Sequence, residues 1–208
     1  MSRYVQYGCG FTAPEGWINY DSSPTLRFER LPWLGKLYTR NSNRFPGNVK
    51  YGDIVKGLPE NANSCNGIYC SHVLEHLSYN DFKTALKNTY DILKPGGIFR
   101  LVVPDLLTLA QKYIADQSSS ATPASDFMRA TMLGAERQSR SVKSLIINLY
   151  GNSKHLWMWD YKTMKHELSA AGFVRISSCN FNDSTDINFL KVEEKSRFMD
   201  ALAIECSK

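Results

Sequence analysis

The sequence predicts an α/β fold: a doubly wound, mostly parallel sheet of seven strands with an antiparallel last strand and a helical cap. Three observations carry this expectation. A strand–helix–strand unit runs from Cys65 to Asp105. The ends of the earlier strands carry, in order, Gly8-Cys9-Gly10, Asp21 and Asp53. The chain closes on two further strand-like runs, Phe173 to Cys179 and Leu202 to Cys206.

The central unit is the clearest. Asn66 to Cys70 is a short apolar run, followed by Ser71-His72 at its carboxyl end. Phe82, Leu86, Tyr90 and Leu93 then recur at helical spacing, with Ala85 and Ile92 alongside. Pro95-Gly96-Gly97 is expected to end that helix, since proline cannot continue it and glycine accepts a reversal. Ile98 to Val103 is β-branched and aromatic, and closes at Pro104-Asp105. A strand–helix–strand crossover is right-handed, and ligands bind beyond the carboxyl ends of such strands.

From the start, Arg3 to Tyr7 reads as a strand and Gly8-Cys9-Gly10 as the turn out of it. Only Phe11 to Gly16 separates this turn from the next strand, Trp17 to Tyr20, which ends at Asp21. A helical crossover takes about a dozen residues or more, so the first crossover helix is expected to be short or missing. Ser22 to Asn48 interleaves Phe28, Trp33, Tyr38 and Phe45 with Arg27, Arg30, Lys36, Arg40 and Arg44, which predicts short helical turns packed on the sheet. Val49 to Gly52 is the third strand, with Asp53 at its end, and Lys56 to Asn63 is a loop. Leu106 to Ala115 is expected to be helical, Asp116 to Ser125 a mobile polar linker, and Asp126 to Tyr150 a second helical region bearing Arg129, Arg137, Arg140 and Lys143. His155, Trp157 and Trp159 fall in a loop before a helix from Tyr161 to Ala171, stopped by Gly172.

A chain of 208 residues with 43% hydrophobic content fits one domain, residues 1–208, with residues 106–160 as its cap. The net charge of +5 is spread along the chain rather than gathered into the basic stripe that nucleic-acid binding uses. Five cysteines without a CxxC pair argue against a disulfide framework or a structural zinc site. Together with the absence of a signal peptide and of any apolar run near the roughly 20 residues of a membrane span, they point to the cytoplasm.

The GxG turn lacks the third glycine of a dinucleotide fingerprint. Its spacing to a strand ending in Asp21 strengthens it, because an acid there can accept both ribose hydroxyls of an adenosine ligand. Asp53, one strand further, can accept from an adenine amine. His72-Val73-Leu74-Glu75-His76 fits the HxxEH pattern of zinc proteases. It directly follows a buried strand, and no distal carboxylate helix is apparent. The expectation is therefore no metal, with Leu74 and Leu77 in the core and the histidines flanking the pocket.

The set GCG…GWINYD, GDIVKGLP, YCSHVLEHL and LKPGGIFRLVVPD resembles class I S-adenosylmethionine-dependent methyltransferases, in particular small ones of the methyltransferase type 11 kind often associated with glycan or cell-surface biosynthesis. The match spans Tyr4 to Asp105, and HLWMWD and AAGF extend it. The resemblance implies a Rossmann-like scaffold with S-adenosylmethionine as cofactor. It implies that Gly8, Cys9 and Gly10 approach the methionine portion, Asp21 holds the ribose, Asp53 and Ile54 meet the adenine, and Ser71 and His72 line the sulfonium side. His72 and His155 are the candidate bases, with Asp105 as an alternative base or a hydrogen-bonding partner of the substrate. The expected reaction is methyl transfer to a small-molecule or glycan acceptor, at oxygen. A cofactor-binding protein without transferase activity and an RNA methyltransferase are the alternatives. A nicotinamide dehydrogenase is disfavoured by the missing glycine.

Overall fold

The computed structural model describes residues 2–32, 44–134 and 154–208. Among the described residues seven strands form one sheet: β1 (Tyr4–Tyr7), β2 (Ile18–Asp21), β3 (Val49–Tyr51), β4 (Cys65–Ser71), β5 (Leu93–Pro104), β6 (Val174–Ser178) and β7 (Ala201–Ser207), in the order β3-β2-β1-β4-β5-β7-β6. The pairings from β3 across to β5 are parallel. β7 runs antiparallel between β5 and β6. The predicted topology therefore holds, including the antiparallel last strand.

Alternation along the strands divides the core into two faces. Ile68 and Cys70 of β4, and Phe99, Leu101 and Val103 of β5, point to one face. There they meet Phe82, Ala85 and Leu86 of helix α2 (Tyr79–Ile92), together with Trp159. Met164 and Leu168 of helix α5 (Tyr161–Ala170) complete that layer. Each fully buried Val, Leu, Ile, Met or Phe among these contributes roughly 1.5–3 kcal/mol. Ser78 caps α2 by accepting from the Asp81 N–H at 3.3 Å. The helix ends at Ile92, earlier than the Pro-Gly-Gly signal suggests, and Leu93 is already extended. A residue preceding proline avoids the helical region, so Lys94 turns the chain into β5 ahead of Pro95.

No helix connects β1 to β2. The ten-residue connection is too short, yet the strands pair in parallel, with Val5 opposite Ile18. Right-handed crossovers put α2 on one face and would put a β1–β2 helix on the other. That vacated face is covered instead by the segment between β6 and β7. Phe189 and Val192, on or beside a short 3-10 turn (Ile187–Lys191), pack on Trp17, Tyr69, Val102 and Ala203. Arg100 of β5 fastens the segment: its guanidinium donates to Glu193, to Asp183 Oδ1 at 2.7 Å and to the Asn180 carbonyl at 2.5 Å, and also to Glu205 of β7 at 2.9 Å. Burial works against the Arg100 cation, and these acidic partners more than offset it, raising its pKa.

Helix α1 (Pro24–Glu29) supplies the helical turn expected after β2, and its Leu26 packs against Cys9 and Val49. Helix α3 (Leu106–Ala115) stands as expected. The polar linker is shorter than predicted: Asp116–Ser118 is a 3-10 turn, and helix α4 (Pro123–Ala130) opens within the predicted linker. Proline in the first turn suits a helix start, and the Ser120 and Thr122 hydroxyls donate to Asp126 at the surface. Trp33, Lys36, Tyr38, Arg40, Arg137, Arg140 and Lys143 lie outside the described residues.

Candidate active site

β1 sits where the sheet's connections diverge, toward β2 on one side and β4 on the other, so the crevice beyond its carboxyl end is the expected ligand position. Gly8 and Gly10 have φ of +64° and +55°. Both therefore use the left-handed region that glycine occupies without strain. A Cβ on Gly8 would lie 2.2 Å from Val73 Cγ2, so the turn and the segment after β4 meet closely at this point.

Hydrogen bonds tie the turn to β2. The Cys9 N–H donates to the Tyr20 carbonyl at 3.1 Å, and the Gly10 N–H to Asp21 Oδ2 at 2.9 Å. Asp21 Oδ1 accepts from the Ser23 N–H at 2.8 Å. Asp21 is thus fixed in orientation by two backbone donors, with further lone pairs left on each oxygen. Cys9 is buried, and burial together with the Asp21 charge pushes its thiol up to about 12, so it is a protonated packing residue. Asp53 holds the Val55 N–H on Oδ1 at 3.0 Å, with Lys56 3.5 Å from Oδ2. The Ile54 side chain is buried in the core.

Gln6, Tyr7, Gly8, Cys9, Thr12, Tyr69, Ser71, Val192 and Arg197 line a cleft beside this turn. Within it the hydroxyls of Tyr69 and Ser71 are buried with no hydrogen-bond partner among the described residues. Buried hydroxyls without partners cost roughly 1–3 kcal/mol each, and a polar ligand in the cleft would recover that. Gln6, Thr12 and Arg197 belong to the cleft but were not anticipated from sequence. Gln6 Nε2 donates to the Thr12 carbonyl at 2.6 Å, bracing the turn from below. Arg197 arrives from the β6–β7 segment, which carries no periodic pattern that could have signalled it.

Beyond β4 the chain turns sharply. His72 has φ +54°, an uncommon value outside glycine. Its Nε2–H donates to the Arg197 carbonyl at 2.9 Å, and its Nδ1 lies 3.2 Å from Glu75 Oε1. Burial works against its cation, but Glu75 and the Arg197 carbonyl outweigh this and raise its pKa. Leu74–His76 is a 3-10 turn, so HVLEH does not form the α-helix that a zinc-protease motif uses. Leu74 is in the core and Leu77 packs against it, as expected.

The Glu75 carbonyl accepts from the N–H groups of Leu156 and Trp157 at 2.7 and 3.1 Å, which brings His155 to the same place. His155 Nδ1–H donates to the Thr131 carbonyl at 2.8 Å, and its Nε2 stands 3.9 Å from Glu75 Oε1. Burial lowers its pKa. Of the three candidate bases, His72 and His155 therefore converge on Glu75. Asp105 does not: it caps α3, accepting from the N–H groups of Leu107 and Thr108 at 3.1 and 3.3 Å and from the Thr108 hydroxyl at 2.6 Å.

The fold recurs in solved structures. A SAM-dependent methyltransferase from Archaeoglobus fulgidus shares 18% identity at a TM-score of 0.52, covering 100% of this chain and 86% of its own. An S-adenosylmethionine-dependent methyltransferase from Mesorhizobium loti shares 15% at 0.50, covering 99% and 90%. Phosphoethanolamine N-methyltransferase 2 of Haemonchus contortus, solved in complex with S-adenosyl-L-methionine, shares 13% at 0.50, covering 100% of this chain and 48% of its own. No curated protein sequence matches the chain. The methyltransferase domain family matches residues 10–178, from the glycine turn to the end of β6. The match takes in Gly10, Asp21, the cluster around Glu75 and strands β2 to β6, and the chain belongs to the methyltransferase domain family.

Proposed function

We propose that the protein transfers the methyl group of S-adenosylmethionine to an oxygen of a small-molecule or glycan acceptor. The observation that carries the cofactor assignment is the Gly10–Asp21 bond, which fixes a carboxylate at the end of β2 beside a tight turn with glycine on either side of the inward-packed Cys9. The residues fit the group. Gly8, Cys9 and Gly10 leave room for the methionine portion, the free lone pairs of Asp21 suit two ribose hydroxyls, and the unpartnered Ser71 hydroxyl faces the same cleft. Asp53 and the buried Ile54 stand one strand on for the adenine.

The cofactor supplies an electrophilic methyl on a good leaving group. What the chain must do is align the acceptor, an effect worth up to roughly 7–11 kcal/mol in favourable systems. Residues 106–160 supply the acceptor side, where Trp159 pairs with Asp105 and brings His155 toward β4. A hydroxyl acceptor gives up its proton, and the imidazoles of His72 and His155 on either side of Glu75 are the groups placed to receive it.

The experiment is transfer of labelled methyl from S-adenosylmethionine across a panel of hydroxylated small molecules, glycans and RNA. Labelled glycan or small molecule, lost in Asp21→Ala, is the expected result. Label in RNA alone would favour the RNA reading, and retained cofactor with no transfer would favour a binding protein.

A further inference from the structure

Glu75 is fully buried, and neither of its carboxylate oxygens has a hydrogen-bond partner among the described residues. His72 Nδ1, 3.2 Å from Oε1, offsets part of this charge when its ring is protonated, and a buried carboxylate without a full set of partners costs several kcal/mol. Around it stand three of the chain's four histidines. Each already donates one ring N–H to a backbone carbonyl: His72 Nε2 to Arg197, His76 Nδ1 to Lys154 at 2.9 Å, and His155 Nδ1 to Thr131. A neutral imidazole has one N–H, so the other nitrogen of His76 and of His155 carries a bare lone pair, whereas the second nitrogen of His72 faces Glu75 Oε1 at 3.2 Å, where a proton is favoured. At His155 that lone pair confronts a carboxylate oxygen 3.9 Å away, acceptor against acceptor.

A cation resolves this arrangement. Histidines that bind metals commonly donate their second ring nitrogen to a backbone carbonyl, which fixes the tautomer and aims the lone pair. The His76 and His155 rings lie edge to face with centroids 4.9 Å apart. One ligand atom each from Glu75, His76 and His155 lies within 4.8 Å of the other two. Ligands on a tetrahedral ion at ordinary bond lengths sit about 3.3–3.5 Å apart, so side-chain adjustments of about an ångström close the set.

We propose that Glu75, His76 and His155 bind a divalent transition cation of the zinc or cobalt type. Two imidazole nitrogens and one carboxylate suit such ions better than magnesium or calcium, which favour all-oxygen shells. This reverses the expectation of no metal at HVLEH, and by a route different from the zinc-protease pattern. His72 and His76 are not the ligand pair. The partner histidine comes from the distant segment before α5, and the glutamate is a ligand instead of a base. Three protein ligands leave a coordination position for water or an acceptor oxygen. Insofar as the ion serves methyl transfer, the inference rests on the proposed function: with His155 engaged, His72 alone remains to take the acceptor proton. The binding itself does not depend on that reading.

The test is titration of chelator-treated protein with Zn²⁺ by calorimetry, and with Co²⁺ by visible absorbance, without cofactor or acceptor. One equivalent is expected to bind, with a Co²⁺ spectrum of four- or five-coordinate nitrogen–oxygen ligation and a rise in melting temperature. His155→Ala and His76→Ala should each weaken binding at least tenfold. His166→Ala, altering the exposed fourth histidine, should leave it unchanged. Because Glu75→Gln tests folding as well as ligation, its circular dichroism is compared with wild type before its affinity is read. No binding, or binding that survives both His76→Ala and His155→Ala, overturns the proposal. Metal binding without methyl transfer leaves the site standing and removes only the proposed function.

Discussion

Gly10 and Asp21 are joined by a 2.9 Å hydrogen bond from a main-chain N–H to a carboxylate oxygen, across eleven residues that contain no helix. The bond holds together the two parts of the proposed cofactor site that come from different strands. Replacing Asp21 with alanine removes the acceptor for Gly10, the acceptor for Ser23 and the proposed ribose contact. Charge-assisted hydrogen bonds contribute roughly 1.5–3 kcal/mol, so cofactor affinity should fall on the order of 10- to 100-fold, measured by calorimetry with the fold checked by circular dichroism.

The contact between Gly8 and Val73 makes a separate prediction. Gly8→Ala places a methyl group 2.2 Å from Val73 Cγ2 in a backbone conformation that disfavours side chains. Backbone strain of about 1–2 kcal/mol and overpacking of about 1–3 kcal/mol should both appear in urea denaturation. Adding Val73→Ala should recover the overpacking share and leave the backbone share.

Arg100 and Glu193 are both buried and bonded to each other. Arg100→Met strands the glutamate charge and should destabilise the protein by about 3–5 kcal/mol. The double substitution Arg100→Met, Glu193→Leu should restore part of that loss, because it removes the fully buried charge, while the more exposed Asp183 and Glu205 still lose their partner. Denaturant melts of the three variants complete the cycle.

High pH should weaken the fold in a defined window. Cys9 and Cys179 both have thiols pushed up to about 12 from 9.0, first by burial; Asp21 pushes Cys9 further, while the positive charge of Arg100 tempers the rise at Cys179. The folded protein thus holds these protons more tightly than the unfolded chain. Their contribution is fully present below pH 9 and is lost as pH rises toward 12, by up to about 1.4 kcal/mol per pH unit per thiol. Chemical denaturation between pH 8 and 11 measures the slope, and native thiol absorbance should stay low until the upper end.

Much of the sheet was readable because its strands are short apolar runs ended by Gly, Pro or Asp. The run Ile98–Val103, closed by Pro104, is an example. The missing first helix was readable from chain length alone. What replaces it was not: Phe189 and Val192 have no periodicity, and their place depends on Arg100, a charged residue whose position within an apolar run gives no hint that it is buried. At the proposed site, spacing pointed to Gly8, Gly10 and Asp21, and the structure joins Gly10 to Asp21 by a hydrogen bond. Asp105 looked like a candidate base because helix capping and catalysis use the same residue at a strand end. The predicament of Glu75 was invisible in sequence, since it arises from histidines nearly eighty positions apart meeting one carboxylate.

The central claim is that the crevice beyond β1 holds S-adenosylmethionine through the glycine turn and Asp21. The most direct measurement is calorimetric titration of wild type and Asp21→Ala with S-adenosylhomocysteine. One-to-one binding to wild type, weakened at least tenfold in the variant, is the predicted result. No binding to the folded wild-type protein, or equal affinity in the two, would contradict it.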